Sequence, residues 1–160
     1  MWDTQLSTNI QQAAQLLQNG ELVAIPTETV YGLAGNALDK GAIVKIYKVK
    51  NRPSFDPLIV HTNALEKAAD IVQEIPSEVY GLAARYSPGP LTFVLKKSNK
   101  LPGIVTSGLG TVAIRIPDHP LTLSLLEKTG FPVAAPSANL FGNVSPTSPG
   151  HVIKQLQGKI

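Results

Sequence analysis

Leu22-Val-Ala-Ile-Pro-Thr-Glu-Thr-Val-Tyr-Gly-Leu33 changes from an apolar run to a cluster of polar side chains at its proline. The apolar residues predict a short buried strand, which the proline ends. Two threonines and a glutamate follow at positions 27–29, and Gly32 permits a turn. Polar groups directly after a buried strand suit a ligand-binding loop, but threonine and glutamate at this spacing also cap helices. Both interpretations stay open for this segment.

Strand and helix patterns alternate on either side of this segment. Besides residues 22–25, apolar runs predict strands at residues 58–60, 91–95, 112–114 and 133–135. Periodic apolar positions and capping residues predict helices at residues 7–19, 39–48, 77–85, 118–130 and from about 150 onward. Asn63 and Glu66 have the capping spacing of one more helix. This alternation is typical of an α/β protein.

Polar residues follow the ends of several predicted strands. They are Thr27 to Thr29, His61, Arg115, and Ser137 with Asn139. In open α/β sheets, ligands bind outside the carboxyl ends of the strands. We therefore expect these side chains to meet at one edge of the sheet.

Composition favours a single domain that binds an anion. The chain has 160 residues, of which 43% are apolar, a net charge of +3 and a pI near 9.2; this mild basicity suits a nucleotide or RNA. The absence of cysteine excludes disulfides and thiolate chemistry. No signal-peptide pattern and no apolar run of the roughly 18 residues that a membrane span needs is visible, so we expect a cytoplasmic protein without membrane contact.

Five positions admit both a structural and a ligand-binding interpretation. Lys50 and Arg52, in a stretch expected to be extended, suit phosphate oxygens but also a surface pair. Arg115 on a buried strand needs an anion, either a substrate carboxylate or an internal Asp or Glu. His61 is either a satisfied structural residue or a ligand, and the Ser137 segment either binds a ligand or forms a turn.

Common nucleotide and metal motifs are missing. The sequence contains no P-loop, and Gly108-Leu-Gly110-Thr-Val-Ala113 precedes a strand instead of following one, so it fails as a dinucleotide fingerprint. The carboxylates show no metal-loop spacing, so any Mg²⁺ is expected to be carried by nucleotide phosphates.

Six motifs in order give the chain a family resemblance. They are Pro26-Thr-Glu-Thr-Val-Tyr-Gly-Leu33, Lys50-x-Arg52-Pro, Pro57-Leu-Ile-Val-His61, Pro88-Gly-Pro-Leu-Thr92, Arg115-Ile-Pro117 and Ser137-Ala-Asn139. Together they resemble the YrdC/Sua5 family of threonylcarbamoyl-AMP synthases. The resemblance implies an open, twisted, mixed α/β sheet with flanking helices around a large basic cavity.

The resemblance also implies a reaction. L-Threonine and bicarbonate give a carbamate, which attacks the α-phosphorus of ATP and expels pyrophosphate, an L-threonylcarbamoyladenylate synthase (nucleotidyltransferase) activity. The product serves the t6A modification of adenosine 37 in tRNA, through the downstream threonylcarbamoyl-transfer machinery. Mg²⁺ would arrive with ATP, with no protein-held metal.

Site residues carry over by position. Threonine would be bound by Thr29, His61, Arg115 and Ala135, and ATP by Lys50, Arg52, Asp56, Thr111, Ser137, Asn139 and Ser145. Lys50 and Arg52 would be catalytic by neutralising developing phosphate charge. Asp56 stands where many relatives carry Asn, and a carboxylate repels phosphate unless Mg²⁺ intervenes.

Two further expectations concern extent and rivals. Residues 1–160 would form a single YrdC-like domain that lacks the family's last C-terminal strands and their additional arginine. The main alternative is a non-catalytic RNA-binding module, since a basic concave surface attracts phosphates without chemistry. The related domain of carbamoyltransferases that mature hydrogenases occurs in longer, cysteine-bearing chains.

Overall fold

A computed structural model describes residues 4–160, with helices and strands in alternation. The helices are α1 (Ile10–Gln18), α2 (Lys40–Lys50), α3 (Ser77–Tyr86), α4 (Pro120–Thr129) and α5 (Pro149–Leu156). The strands are β1 (Val23–Ile25), β2 (Gly32–Asn36), β3 (Ile59–His61), β4 (Thr92–Lys96), β5 (Thr111–Arg115) and β6 (Val133–Ala134). No helix within these described residues is long and apolar enough to cross a bilayer.

The strands form one open mixed sheet in the order β1-β2-β6-β3-β5-β4. Among the strands of residues 4–160, only β3 and β5 pair in parallel; the other neighbours that pair do so antiparallel. The predicted mixed α/β class is therefore confirmed. The prediction of a single ligand-binding edge is wrong, because β6 runs opposite to β3 and places Ser137 at the other end of the sheet from His61.

Helix starts follow the capping rules at some predicted sites and not at others. The Asp39 carboxylate accepts the N–H of Gly41 at 2.7 Å and begins α2. Asp118 does not cap α4, which begins one residue after His119 with no side-chain cap. The predicted helix near Asn63 and Glu66 is a short 3₁₀ turn, Leu65–Ala68, whose first flanking residue is Ala64.

Strand β2 was not predicted, and Gly32 begins it instead of making a turn. Nearly every residue of β2 is buried on both faces, so its sequence shows no apolar–polar alternation. Gly35 is closely packed, because a Cβ there would lie 2.9 Å from the end of the Leu22 side chain and 3.1 Å from the end of the Ile46 side chain. The strand is defined by close packing and not by a local pattern.

The two faces of the sheet are covered unequally. One face buries Val60 and Ile114 in the main core. On the opposite face, α1 and α4 pack over β1, β2 and β6, where Ala34 and Val133 are buried. Beyond those strands the same face is open: Ile59 is 36% and Val94 66% exposed. We call this region the open sheet face; by strand alternation it carries Ile59, His61, Thr92, Val94, Lys96, Thr111, Ala113 and Arg115.

Candidate ligand site on the open sheet face

Arg115 is the centre of a polar cluster on the open sheet face. Its Nε donates to the carbonyl of Gly89 at 3.2 Å, and its Nη2 donates to Thr29 Oγ1 at 3.1 Å. The same Nη2 forms an ion pair with Glu28 Oε1. The Arg115 side chain is only 11% exposed, so a counter-ion is needed. Of the two anions considered from sequence, the structure shows the internal one.

The β1–β2 loop, residues 26–31, brings Thr29 to this cluster. At its start, the Pro26 carbonyl accepts the hydroxyl of Thr122 in α4. Within the loop, Thr27 Oγ1 donates to the Val30 carbonyl at 2.7 Å. These bonds fix the loop against α4 and in its own turn. In this position the loop reaches Arg115, although β1 itself ends at the opposite end of the sheet from Arg115.

His61 is the neighbour of Arg115 on the adjacent parallel strand. The imidazole is 3% exposed, and its Nδ1 has no hydrogen-bond partner within residues 4–160. Burial, with a smaller effect of the Arg115 charge, lowers the pKa of His61 to about 4. The ring is therefore neutral at physiological pH and offers a hydrogen bond, not a charge.

Glu28 was quoted in the sequence motif but not predicted as a site residue. Its Oε2 accepts the N–H of Asp118 at 2.9 Å, while Oε1 pairs with Arg115. Burial raises the pKa of Glu28, but the hydrogen bonds from Arg115 and from backbone N–H groups outweigh this and hold it below 4.5. No local sequence pattern indicates which cation or loop this carboxylate meets.

Lys50 lies in a second cluster, at the end of α2. The expected extended stretch is wrong here, because Lys50 is the last helical residue and Asn51 is left-handed. The ammonium is buried and donates to the carbonyl oxygens of Ser137 and Asn139, the latter at 2.6 Å. Burial, and then the Arg52 charge, lower the pKa of Lys50 to about 8. Lys50 therefore contacts the backbone of the loop that carries Ser137 and Asn139, two of the predicted ATP ligands; we call it the nucleotide loop.

Arg52 closes the loop that follows α2. Its Nη2 lies 2.9 Å from Asp56 Oδ2 and 3.0 Å from the Pro57 carbonyl, and its Nε donates to the Asp56 carbonyl at 3.2 Å. The Arg52 side chain is 15% exposed and that of Asp56 37%. The Asp56 carboxylate thus offsets the charge of Arg52, the arginine predicted to bind phosphate.

The remaining predicted residues lie around these clusters. The Asn139 amide nitrogen donates to Leu140 and Asn143, while its buried Oδ1 has no partner within residues 4–160. Ala135 is buried beside β3 and donates to the Ile59 carbonyl at 3.0 Å. Thr111 is exposed at the start of β5, at the opposite end of that strand from Arg115. Ser145 precedes Pro146, whose carbonyl accepts the N–H of Tyr31.

The structure therefore brings together Thr29, His61 and Arg115, and separately Lys50, Ser137 and Asn139. A large basic cavity joining the two is not shown. A groove of about 540 Å³ lies elsewhere, along the free edge of β1 between α1, α2 and α5, and none of the predicted site residues lines it.

A mixed α/β protein with an open six-stranded sheet is the class that this fold defines. A profile of the Sua5/YciO/YrdC family, described as "Telomere recombination", matches residues 15–160. The chain belongs to this family. A relative from Vibrio vulnificus, named threonylcarbamoyl-AMP synthase, is 33% identical over 96% of this chain and 83% of its own length.

More similar relatives are longer than this chain. Proteins named threonylcarbamoyl-AMP synthase from Pyrococcus abyssi and Bacillus subtilis are 50% and 51% identical, over 94% and 98% of this chain. The chain spans only 44% and 46% of their lengths. The structure of P. abyssi Sua5 complexed with L-threonine matches with a TM-score of 0.94 at 47% identity, over 99% of this chain and 47% of that one.

Proposed function

We propose that this chain carries the L-threonylcarbamoyladenylate synthase activity, a nucleotidyl transfer. The amine of L-threonine combines with bicarbonate to form a carbamate and water. A carbamate oxygen then attacks the α-phosphorus of ATP, and pyrophosphate leaves. The observation that carries the proposal is the Thr29–Arg115 cluster on the open sheet face, in a chain about half identical to named synthases.

Threonine is proposed to bind at that cluster. Arg115 supplies the cation for the carboxylate, because it is the arginine of the open sheet face. Its Nη1 makes no hydrogen bond to residues 4–160 and is not buried, so a ligand can reach it. Thr29 and neutral His61 supply hydrogen bonds at its side, and Ala135 supplies a backbone wall. The solved P. abyssi Sua5 complex holds L-threonine, which supports an amino-acid site in this fold.

ATP is proposed to bind towards the second cluster. The ligands would be Lys50, Arg52, Asp56, Thr111, Ser137, Asn139 and Ser145. Lys50 and Arg52 act as the catalytic cations, by their charge near the phosphates and by holding the loops that carry the other ligands. Catalysis then consists mainly of positioning the carbamate against the α-phosphorus.

Mg²⁺ is proposed to enter with ATP as part of the substrate. Within residues 4–160 there is no group of three or more acidic or histidine side chains that could hold a metal. The Asp56 carboxylate, which is paired with Arg52, is the acidic group of the predicted ATP ligands. Nucleotide phosphates and water are the oxygen ligands that Mg²⁺ commonly keeps.

The product would pass to the tRNA threonylcarbamoyl-transfer machinery for t6A37 modification, in the cytoplasm. A net charge of +3 also favours direct contact with tRNA. The second candidate function, a non-catalytic RNA-binding module, rests on that charge alone.

Pyrophosphate release with threonine, bicarbonate and ATP, each omitted in turn, tests the proposal. We expect release only with all three substrates. Release that ignores threonine contradicts the assignment. RNA binding that weakens steeply with salt, without any turnover, would favour the RNA-binding module.

A further inference from the structure

Glu28 links two loops through the guanidinium of Arg115. One carboxylate oxygen pairs with Arg115 Nη2, and the other accepts the N–H of Asp118, just before α4. Glu28 and Arg115 are separated by 87 positions in sequence. A residue on the β1–β2 loop therefore fixes a side chain on β5 and the start of the segment after it.

The bonds to Arg115 leave one part of its guanidinium available. Nε is held by the Gly89 carbonyl, and Nη2 by Glu28 and Thr29. Nη1 makes no hydrogen bond to residues 4–160. It is also not one of the buried atoms that lack a partner, so it is accessible from outside. A carboxylate that approaches the open sheet face can therefore meet Nη1 while the other nitrogens stay fixed.

We propose that Glu28 is a positioning residue that holds the Arg115 guanidinium in the orientation that receives the carboxylate of the amino-acid substrate. The inference rests on the proposed function. Without Glu28, an arginine that is 11% exposed loses its counter-ion and one fixed contact of its fork. Charged hydrogen bonds position as well as stabilise, so the guanidinium would sample other rotamers.

The geometry distinguishes this role from simple competition. A competing carboxylate would occupy the place of the substrate, and its removal would tighten threonine binding. Glu28 is instead tied through its second oxygen to Asp118 N–H, so it stays in place when another carboxylate arrives. Removal of Glu28 is therefore expected to weaken threonine binding.

Titration of the whole chain with threonine and, separately, with ATP tests the proposal. For Glu28→Gln we expect at least a tenfold loss of threonine affinity, about 1.4 kcal/mol, because the guanidinium loses a charged contact that holds it. ATP affinity should stay within about twofold of the wild type. Glu28→Asp, which keeps the charge, should have a threonine affinity between those of the wild type and Glu28→Gln. Glu21→Gln removes a more exposed ion pair with Lys45, 2.8 Å long, outside the site, and should leave both affinities unchanged.

A double-mutant cycle separates positioning from a general structural effect. In an Arg115→Lys background, Glu28→Gln should change threonine affinity by less than about twofold, because Glu28 acts through the guanidinium. A full additional tenfold loss there, or unchanged or tighter binding in Glu28→Gln alone, overturns the inference but leaves the proposed function standing. A wild-type chain that binds no threonine overturns both.

Discussion

The ammonium of Lys50 donates a 2.6 Å hydrogen bond to the carbonyl of Asn139, a residue 89 positions further along the chain. The Lys50 carbonyl in turn accepts the N–H of Phe141 at 2.7 Å. These two bonds attach the loop after β6 to the end of α2. The position of the predicted nucleotide ligands Ser137 and Asn139 therefore depends on a side chain that is 1% exposed.

Lys50→Met is expected to weaken ATP binding by at least tenfold and threonine binding by less than threefold. The apolar stem still fits, but the buried Asn139 carbonyl and the part-buried Ser137 carbonyl lose their donor, which costs up to about 1–3 kcal/mol each. Titration with both ligands measures the difference. Lys48→Met, at an exposed position of the same helix, is the matched control and should match the wild type. A uniform loss of both affinities would contradict a role confined to the nucleotide loop.

His61 should make the folded protein sensitive to acid. Its pKa is lowered from 6.5 to about 4 in the fold, so the unfolded chain binds the proton more readily between these values. The free energy of unfolding should therefore fall as the pH drops from 6.5 towards 4, by an amount on the order of 3 kcal/mol.

Urea unfolding at several pH values measures this effect. His61→Asn should reduce the pH dependence in that window, whereas the exposed His151→Asn should keep it. Glu28 acts at lower pH, because its pKa lies below 4.5. An unchanged slope in His61→Asn would mean that the imidazole is not buried as described.

Gly89→Ala is expected to destabilise the fold and weaken threonine binding. A Cβ at this position would lie 2.6 Å from the Tyr86 carbonyl, so the backbone must move. The displaced Gly89 carbonyl would release Arg115 Nε. We expect a loss of about 1–3 kcal/mol in unfolding free energy.

Gly81→Ala provides the matched control for thermal unfolding. Its Cβ would meet no atom within 4 Å, in the middle of α3. The alanine should stabilise that helix by up to about 1 kcal/mol. Equal behaviour of the two variants would contradict the close contact at Gly89.

The sequence predicted the α/β class and most elements, because β1, β3, β4 and β5 are short apolar runs and α2 has a capping residue. It missed β2 because that strand is buried on both faces and rich in small residues. The assumption of one ligand edge failed for a related reason: strand direction depends on long-range pairing, and β6 turns out antiparallel to β3.

For the candidate site, the sequence indicated which residues to consider but not which contacts they make. The requirement that Arg115 find an anion followed from burial, and the structure supplies Glu28, 87 residues away. No local pattern selects that partner. In the same way, the sequence favoured phosphate oxygens or a surface pair for Lys50, while the end of α2 directs it to backbone carbonyls.

The proposed amino-acid site is tested most directly by the binding of threonine and ATP to Arg115→Ala, measured by calorimetry beside the wild type. We expect threonine affinity to fall by at least about thirtyfold, because a charged contact of about 2–5 kcal/mol is lost, while ATP affinity stays within about threefold. Equal loss of both affinities, or unchanged threonine binding, would contradict an amino-acid site on the open sheet face.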